Sequence, residues 1–374
     1  MNVVGVRLRD FRNHAETMLA FGPALNVLVG DNGQGKTNIL EAVSYLSLTK
    51  SFYANSDAAA LRHGCDAFCV EGQFESDGGA KSTVVVSYVR ETREKSVRIN
   101  GLQAESLASV IGRFPVVVLS PENGAVTFGG PADRRRFVDV VLSQLSRPYF
   151  QDLLEYRRVL RQRNRLLVES GGRRVPADLD SWDEALARSG SRIIHRRQVF
   201  VSEFSAYIEE AYGNLTGGGE QPAMEYYSSA AATPGAEPDK IRHAMEEALH
   251  RTRSEDSRRG ATQTGPHRDE FRFLINGTSV RLYASQGQHK TLLVALKVAE
   301  FHFLRERLGE RPVFLLDDVF SELDGRRSRR ILELVTNLGQ AVITTTDANV
   351  FGEAVQWNTG NRLFEVDHGA VRTA

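Results

Sequence analysis

Gly30-Asp31-Asn32-Gly33-Gln34-Gly35-Lys36-Thr37 decides how this chain is read. It meets the pattern GxxxxGK[ST] at every fixed position. The apolar run Leu25–Val29 precedes it as a strand, and a helical pattern from about Thr37 to Leu48 follows, with Ile39, Leu40, Val43 and Leu46 on one face. Glycines let a backbone wrap phosphates, and the N–H groups that open a helix hold their negative charge. Lys36 is suited to neutralise the β- and γ-phosphates and the Thr37 hydroxyl to ligate Mg²⁺.

A second stretch, Val313-Phe314-Leu315-Leu316-Asp317-Asp318, is an apolar strand ending in two carboxylates. Packing gives no reason for acids there, because an unpaired buried carboxylate is costly. Asp317 suits the Mg²⁺ and water shell, and Asp318 the polarisation of an attacking water. Ser285-Gln286-Gly287-Gln288 opens another helical run, which makes it either an anion site or an ordinary N-cap. Ser321-Glu322-Leu323-Asp324 follows the acidic strand and by itself is a plain helix start. Taken in order, phosphate loop, serine-glycine signature, acidic strand and (S/A)xLD loop make the series of an ABC-type ATPase, with ATP and Mg²⁺ as cofactors.

Composition narrows the class further. At roughly 150 residues per domain, 374 residues imply two to three domains. The 47 Lys and Arg balance 47 Asp and Glu, so any case for nucleic acid rests on local patches. Two cysteines, Cys65 and Cys69, offer neither a secreted framework nor zinc spacing. Charges interrupt the first residues where a signal peptide needs an apolar run, and no run is long enough to span a membrane. The expectation is a soluble, cytoplasmic protein with no membrane partner.

The chain resembles the SMC-like branch of ABC ATPases and, within it, the bacterial RecF family. The resemblance is carried by Phe11-Arg12-Asn13, by the phosphate loop running on into Asn38-Ile39-Leu40-Glu41-Ala42, and by Pro121-Glu122 leading to Arg134-Arg135-Arg136-Phe137. Gly265-Pro266-His267-Arg268-Asp269, Leu316-Asp317-Asp318 and Thr344-Thr345-Thr346-Asp347 complete it. It implies that Arg12, the loop residues Gly30, Asp31, Asn32, Gly33, Gln34, Gly35, Lys36 and Thr37, and Ser285, Gln286, Gly287, Gln288 and Asp324 bind the nucleotide. It also implies that Thr37 and Asp317 hold the metal, and that Asp318 and Glu122 serve catalysis. The chain departs from general ABC proteins in four places. The signature is SQGQ, the second acid is Asp318 rather than Glu, Thr346 stands at the switch-histidine position, and Pro121-Glu122 replaces the Gln loop. RecF-like chains share these features, which leave the γ-phosphate sensor open and imply a weak, DNA-dependent ATPase used as a switch.

The domain expectation is an α/β ABC-type P-loop ATPase head, with a mixed sheet and flanking helices, built from residues 1–130 and 262–374 around a mainly helical arm at 131–261. Residues 131–200 carry 15 Arg against 9 acids, and Arg157, Arg161 and Arg165 share one helical face. That face suits DNA phosphates and equally suits solvent. The RecF resemblance implies ATP-dependent DNA binding in recombinational repair. It would act at single-strand gaps or single-strand/double-strand junctions, as an ATP-dependent homodimer working with RecR and RecO to promote RecA loading. An ATP-dependent switch that recruits partners, with secondary DNA contact, stays open. A transporter's nucleotide-binding subunit would need the Gln loop, switch histidine and SGGQ signature that are lacking here.

Overall fold

A computed structural model describes residues 1–53, 56–171, 176, 178–320 and 325–373. The described chain packs as two compact units, Met1–Asn123 with Lys297–Ala374, and Gly124–Leu296. The expected joints at 130/131 and 261/262 therefore differ from the observed divisions at 123/124 and 296/297. Strand pairing is the reason. Glu270–Ile275, expected in the head, is hydrogen-bonded antiparallel to Pro222–Tyr227, so residues 262–296 pack with the inserted segment.

The first unit holds two six-stranded sheets. One is antiparallel, in the order His14–Ala20, Asn2–Phe11, Ala67–Glu75, Lys81–Val89, Glu94–Ile99, Leu102–Gln103. The other runs Ala370–Thr373, Arg362–Asp367, Leu25–Val29, Ala341–Thr345, Val313–Asp317, Val116–Leu119, parallel except for the C-terminal edge strand. Helix Lys36–Leu48 contacts strands of both sheets. A helix between two sheets has no solvent face, so the one-sided apolar stripe expected from sequence gives way to burial all round. Ile39, Leu40, Ala42, Val43, Tyr45 and Leu46 are fully buried, as are Ser44, Ser47 and Glu41. Each large aliphatic side chain buried this way stabilises the fold by roughly 1.5–3 kcal/mol. Leu46 also lies on Gly72, where a Cβ would stand 2.3 Å from Leu46 Cδ1.

The second unit is mainly helical, with helices Pro131–Leu145, Arg147–Glu169, Leu179–Thr216 and Pro238–Arg259 beside a three-stranded antiparallel sheet. Strand Pro222–Tyr227 is not expected from sequence, since it is short, opens on proline and alternates weakly. Two wholly buried arginines join the helices. Arg163 donates to Asp183 (2.6 Å), Asp256 (2.8 Å) and Thr262 Oγ1 (2.7 Å). Arg197 donates to Asp139 (2.8 Å), the Pro266 carbonyl (2.7 Å) and Tyr149 Oη (3.2 Å). Removing one partner of such a pair leaves a buried charge uncompensated, at a cost of about 3–5 kcal/mol.

The Gly265–Asp269 phrase is part of this framework. Asp269 accepts from Tyr226 Oη, from the Ser229 N–H (2.8 Å) and from Ser229 Oγ (2.9 Å). His267 Nε2 faces the Thr262 carbonyl at 3.0 Å, so it carries the proton, and Nδ1 accepts from Tyr156 Oη at 2.6 Å. Burial favours the neutral ring and pushes its pKa down to about 4. Between that value and the ordinary 6.5, the unfolded chain binds a proton that the native protein does not. Stability is then full above pH 6.5 and falls as pH drops through the window, by about 3 kcal/mol in all. His267→Gln keeps a donor for Thr262 but has no titration. In denaturant unfolding between pH 7 and pH 4, wild type is expected to lose about 3 kcal/mol more than the variant. Parallel curves would show that the ring is not held neutral.

Candidate functional site

Four parallel strands bring the predicted groups of the first unit to one edge. Val29 lies opposite Thr345, Leu28 and Asp317 both lie opposite Thr344, and Leu316 lies opposite Leu119. In open parallel sheets, ligand sites form beyond the carboxyl ends of the strands. At that end the phosphate loop leaves after Val29, Asp318 after Asp317, Thr346 after Thr345, and Ser120-Pro121-Glu122 after Leu119.

Hydrogen bonds tie loop and acidic strand directly. Thr37 Oγ1 donates to Asp317 Oδ1 at 2.7 Å, and Thr344 Oγ1 donates to the same oxygen at 2.8 Å. Thr344 Oγ1 in turn accepts the Asp318 N–H at 2.8 Å. Burial pushes the Asp317 carboxyl pKa up; the two threonine hydroxyls oppose that rise, while the charges of Asp318 and Glu122 add to it. Asp318 sits at φ +48°, an uncommon backbone state for a side chain larger than glycine. Lys36 is buried, and its Nζ donates to the carbonyls of Gly30 (2.6 Å) and Asp31 (2.7 Å). Burial lowers its pKa, and the charges of Asp318, Asp317 and Asp31 resist that shift. The helix opens at Gly35 with no side-chain cap. An all-oxygen pair, Thr37 and Asp317, beside a lysine and uncapped amides, fits a hard divalent cation on a phosphate chain.

Arg12 and Glu122 are placed differently. The Arg12 guanidinium forks onto Glu41 through Nε (2.7 Å) and Nη2 (2.6 Å), and Nη1 reaches the Ala59 carbonyl at 2.6 Å. It therefore anchors the first turns of the phosphate-loop helix, and Ser51 Oγ donates to the same Glu41. Glu122 is exposed, and its charge raises the pKa of the neighbouring Tyr53 phenol. Tyr53, Thr344 and Asn13 have no role that sequence alone assigns. Asn13 Nδ2 donates to the Gln34 carbonyl of the loop at 2.9 Å. The phrases Phe11-Arg12-Asn13 and Thr344-Thr345-Thr346 hold two of the three, with nothing to separate a residue that bonds the loop from its neighbours.

The second unit holds the signature and the arm. Ser285 and Gln288 form a reciprocal cap, with Ser285 N–H donating to Gln288 Oε1 (2.9 Å) and Gln288 N–H to Ser285 Oγ (3.2 Å). Ser285 and Gln286 are exposed, Gly287 and Gln288 partly buried. Asp324 lies outside the described residues. On helix Arg147–Glu169, Arg157, Arg161 and Arg165 are exposed, whereas Arg163 is the buried arginine described above. Arg157 is 3.5 Å from Asp139, and Arg165 pairs with Glu169 one turn on. Of Arg134-Arg135-Arg136, the first donates to Glu270 and the second to the Asp269 carbonyl; the third is exposed.

Residues 2–370 match the family model of the RecF/RecN/SMC N terminal domain. The chain is 42% identical over 355 residues to the DNA replication and repair protein RecF of Salinibacter ruber, covering 94% of this chain and 86% of that one. It is 39% identical to RecF of Chloroherpeton thalassium, over 96% and 99% of the two chains. A solved structure of the recombination mediator protein RecF with ATP, in the RecFOR pathway, superposes with a TM-score of 0.91 at 32% identity, over 100% of this chain and 97% of that one. An SMC head bound to the C-winged helix domain of ScpA, at 13% identity and TM-score 0.56, shares the fold.

Thr344 Oγ1 both donates and accepts at the strand end, so its removal tests how the edge is held. Thr344→Val should cost about 1–3 kcal/mol, because it leaves the Asp318 N–H and a buried Asp317 oxygen each one partner short. Thr344→Ser should recover most of that loss. Denaturant midpoints compared at a constant m-value read the effect, and a valine variant as stable as wild type would remove Thr344 from the site's framework.

Proposed function

Because the chain belongs to the RecF family of DNA replication and repair proteins, we propose that it is an ATP-gated, DNA-binding recombination mediator. The observation that carries this reading is the Thr37–Asp317–Thr344 junction, which joins the phosphate loop to the acidic strand beside Lys36. ATP is the ligand that this edge and the RecF relatives favour. The loop amides of residues 30–37 and Lys36 hold its phosphates. Thr37 and Asp317 are the pair that would hold Mg²⁺, which when bound neutralises phosphate charge. Asp318 orients and polarises the attacking water, with Glu122 as the second acid on the same strand edge.

Turnover is completed by a second copy of the chain. Ser285, Gln286, Gly287 and Gln288 of one protomer supply a hydroxyl and a helix N-terminus to the γ-phosphate held by the other, so ATP closes a homodimer and hydrolysis opens it. Arg12 keeps the loop helix in place through Glu41. The exposed arginines Arg157, Arg161 and Arg165 meet DNA phosphates, with single-strand/double-strand junctions as the substrate. RecR and RecO are the partners, and RecA loading the outcome. The protein works in the cytoplasm; among the described residues no helix is long and apolar enough to cross a membrane.

Two experiments test this. Asp318→Asn should keep ATP binding, slow turnover by about 10²-fold or more, and lengthen the life of the dimer on DNA. Ser285→Arg should spare ATP binding by the monomer yet abolish dimerisation and turnover. Mixed with Lys36→Ala, it offers one intact composite site per heterodimer, and activity should partly return. Normal hydrolysis by monomeric Ser285→Arg would rule out a site completed in trans.

The arm is tested by salt. Reversing Arg157 and Arg161 to Glu should weaken DNA binding across sequences. It should also make the slope of log affinity against log salt shallower, by roughly one for each phosphate that is no longer neutralised. Unchanged affinity and slope, with ATPase intact, would return these arginines to a solvated face.

A further inference from the structure

Gly35 immediately precedes Lys36 and is held from outside the loop. Its φ is +110°, and a Cβ there would stand 2.5 Å from Asn13 Oδ1 and 2.9 Å from His14 Nε2, so the approach requires glycine. His14 is wholly buried, and both of its ring nitrogens face oxygen. Nε2 is 3.1 Å from the Gly35 carbonyl oxygen. Nδ1 is 3.0 Å from the Gly369 carbonyl oxygen and 2.9 Å from Thr17 Oγ1, which itself reaches that Gly369 oxygen at 2.8 Å.

Carbonyls only accept, and a neutral imidazole has one N–H. With the proton on Nδ1, the Nε2 lone pair would oppose the Gly35 oxygen in a fully buried site. With the proton on Nε2, Gly35 accepts it, and the Thr17 hydroxyl, 2.9 Å from Nδ1, satisfies that nitrogen by turning its single hydrogen away from the Gly369 carbonyl; only a carbonyl faces Nε2, so no such relief exists there. A doubly protonated ring would also satisfy Gly35, but burial pushes the His14 pKa below its ordinary value and favours the neutral form. Every arrangement that satisfies the ring therefore places Nε2–H on the Gly35 carbonyl.

That carbonyl shares a planar trans peptide with the Lys36 N–H, and the two point in opposite directions. Holding one aims the other. The loop is also tied at Gln34, whose carbonyl accepts from the Gly369 N–H (2.9 Å) and whose Oε1 accepts from the His368 N–H (2.7 Å). Residues 368–369 form the turn between the strands Arg362–Asp367 and Ala370–Thr373.

We propose that His14 is a positioning residue for the phosphate loop: its Nε2–H fixes the Gly35 carbonyl and so aims the Lys36 amide, while the Gly369 and His368 N–H groups tie the neighbouring Gln34 to the C-terminal hairpin. The inference rests on residues 30–37 being the ATP-binding loop, and it extends that reading to a side chain with no part in phosphate contact.

Glutamine and asparagine separate the two ring positions, since a Gln amide nitrogen reaches the place of Nε2 and an Asn amide nitrogen that of Nδ1. His14→Gln, His14→Asn and His14→Phe are compared by amide hydrogen exchange over residues 30–38 in the nucleotide-free protein, by MgATP titration and by thermal unfolding. In His14→Phe and His14→Asn, loop exchange should quicken and ATP affinity fall by about tenfold each, while His14→Gln stays within about threefold of wild type. If His14→Phe does not fold, the Gln and Asn pair decides. Asn matching Gln, or loop exchange unchanged in every variant, would overturn the proposal. Wild type that fails to bind ATP would instead sink the nucleotide reading, and the exchange rates would still judge His14.

Discussion

One hydrogen bond, Thr37 Oγ1 to Asp317 Oδ1, joins two parts of the chain that lie far apart in sequence. Nothing local produces it. It forms because Leu25–Val29 and Val313–Asp317 enter one parallel sheet with Ala341–Thr345 between them. The register of that middle strand puts Thr344 beside both Leu28 and Asp317. A slip of one residue would turn Thr344 to the other face of the sheet and take both of its bonds to the acidic pair with it. The loop, the acids and the third strand are thus positioned by a single backbone constraint.

The same unit explains why the loop can be rich in glycine and still be ordered. Gly35 and Gln34 are held by Asn13 and His14 on one side and by residues 368–369 on the other, and the following helix is buried between two sheets. The cost of burying Glu41 in that helix is offset by the bidentate fork from Arg12. Permissive backbone and rigid surroundings are both needed. Glycine allows the approach, and the surroundings fix it.

The second unit divides its arginines between two physical tasks. Arg163 and Arg197 are wholly buried and bind helices and loop together through Asp139, Asp183 and Asp256. Arg157, Arg158, Arg161 and Arg165 on the same helix as Arg163 are exposed. A surplus of positive charge counted along the sequence therefore overstates what the surface offers, because part of it is neutralised inside. The family phrase around His267 is explained in the same terms. It is a half-buried, neutral link between Tyr156 and the Thr262 carbonyl.

By itself the sequence carried the GxxxxGK[ST] pattern, the apolar strand ending in two acids, the SQGQ phrase and the RecF-like order in which they occur. Those features depend on glycine, charge and hydrophobic period within short windows, and such windows can be read without a fold. The strands Leu25–Val29 and Glu270–Ile275 were legible to the residue for the same reason. Only the tertiary structure decided which arginines face solvent, that Thr344 bonds both acids while His14 faces the loop at Gly35, and that residues 262–296 pack with the helical unit. Each of those depends on a partner tens to hundreds of residues away. A side chain's burial and hydrogen bonds are set by what the folded chain brings beside it, and local pattern holds no record of that.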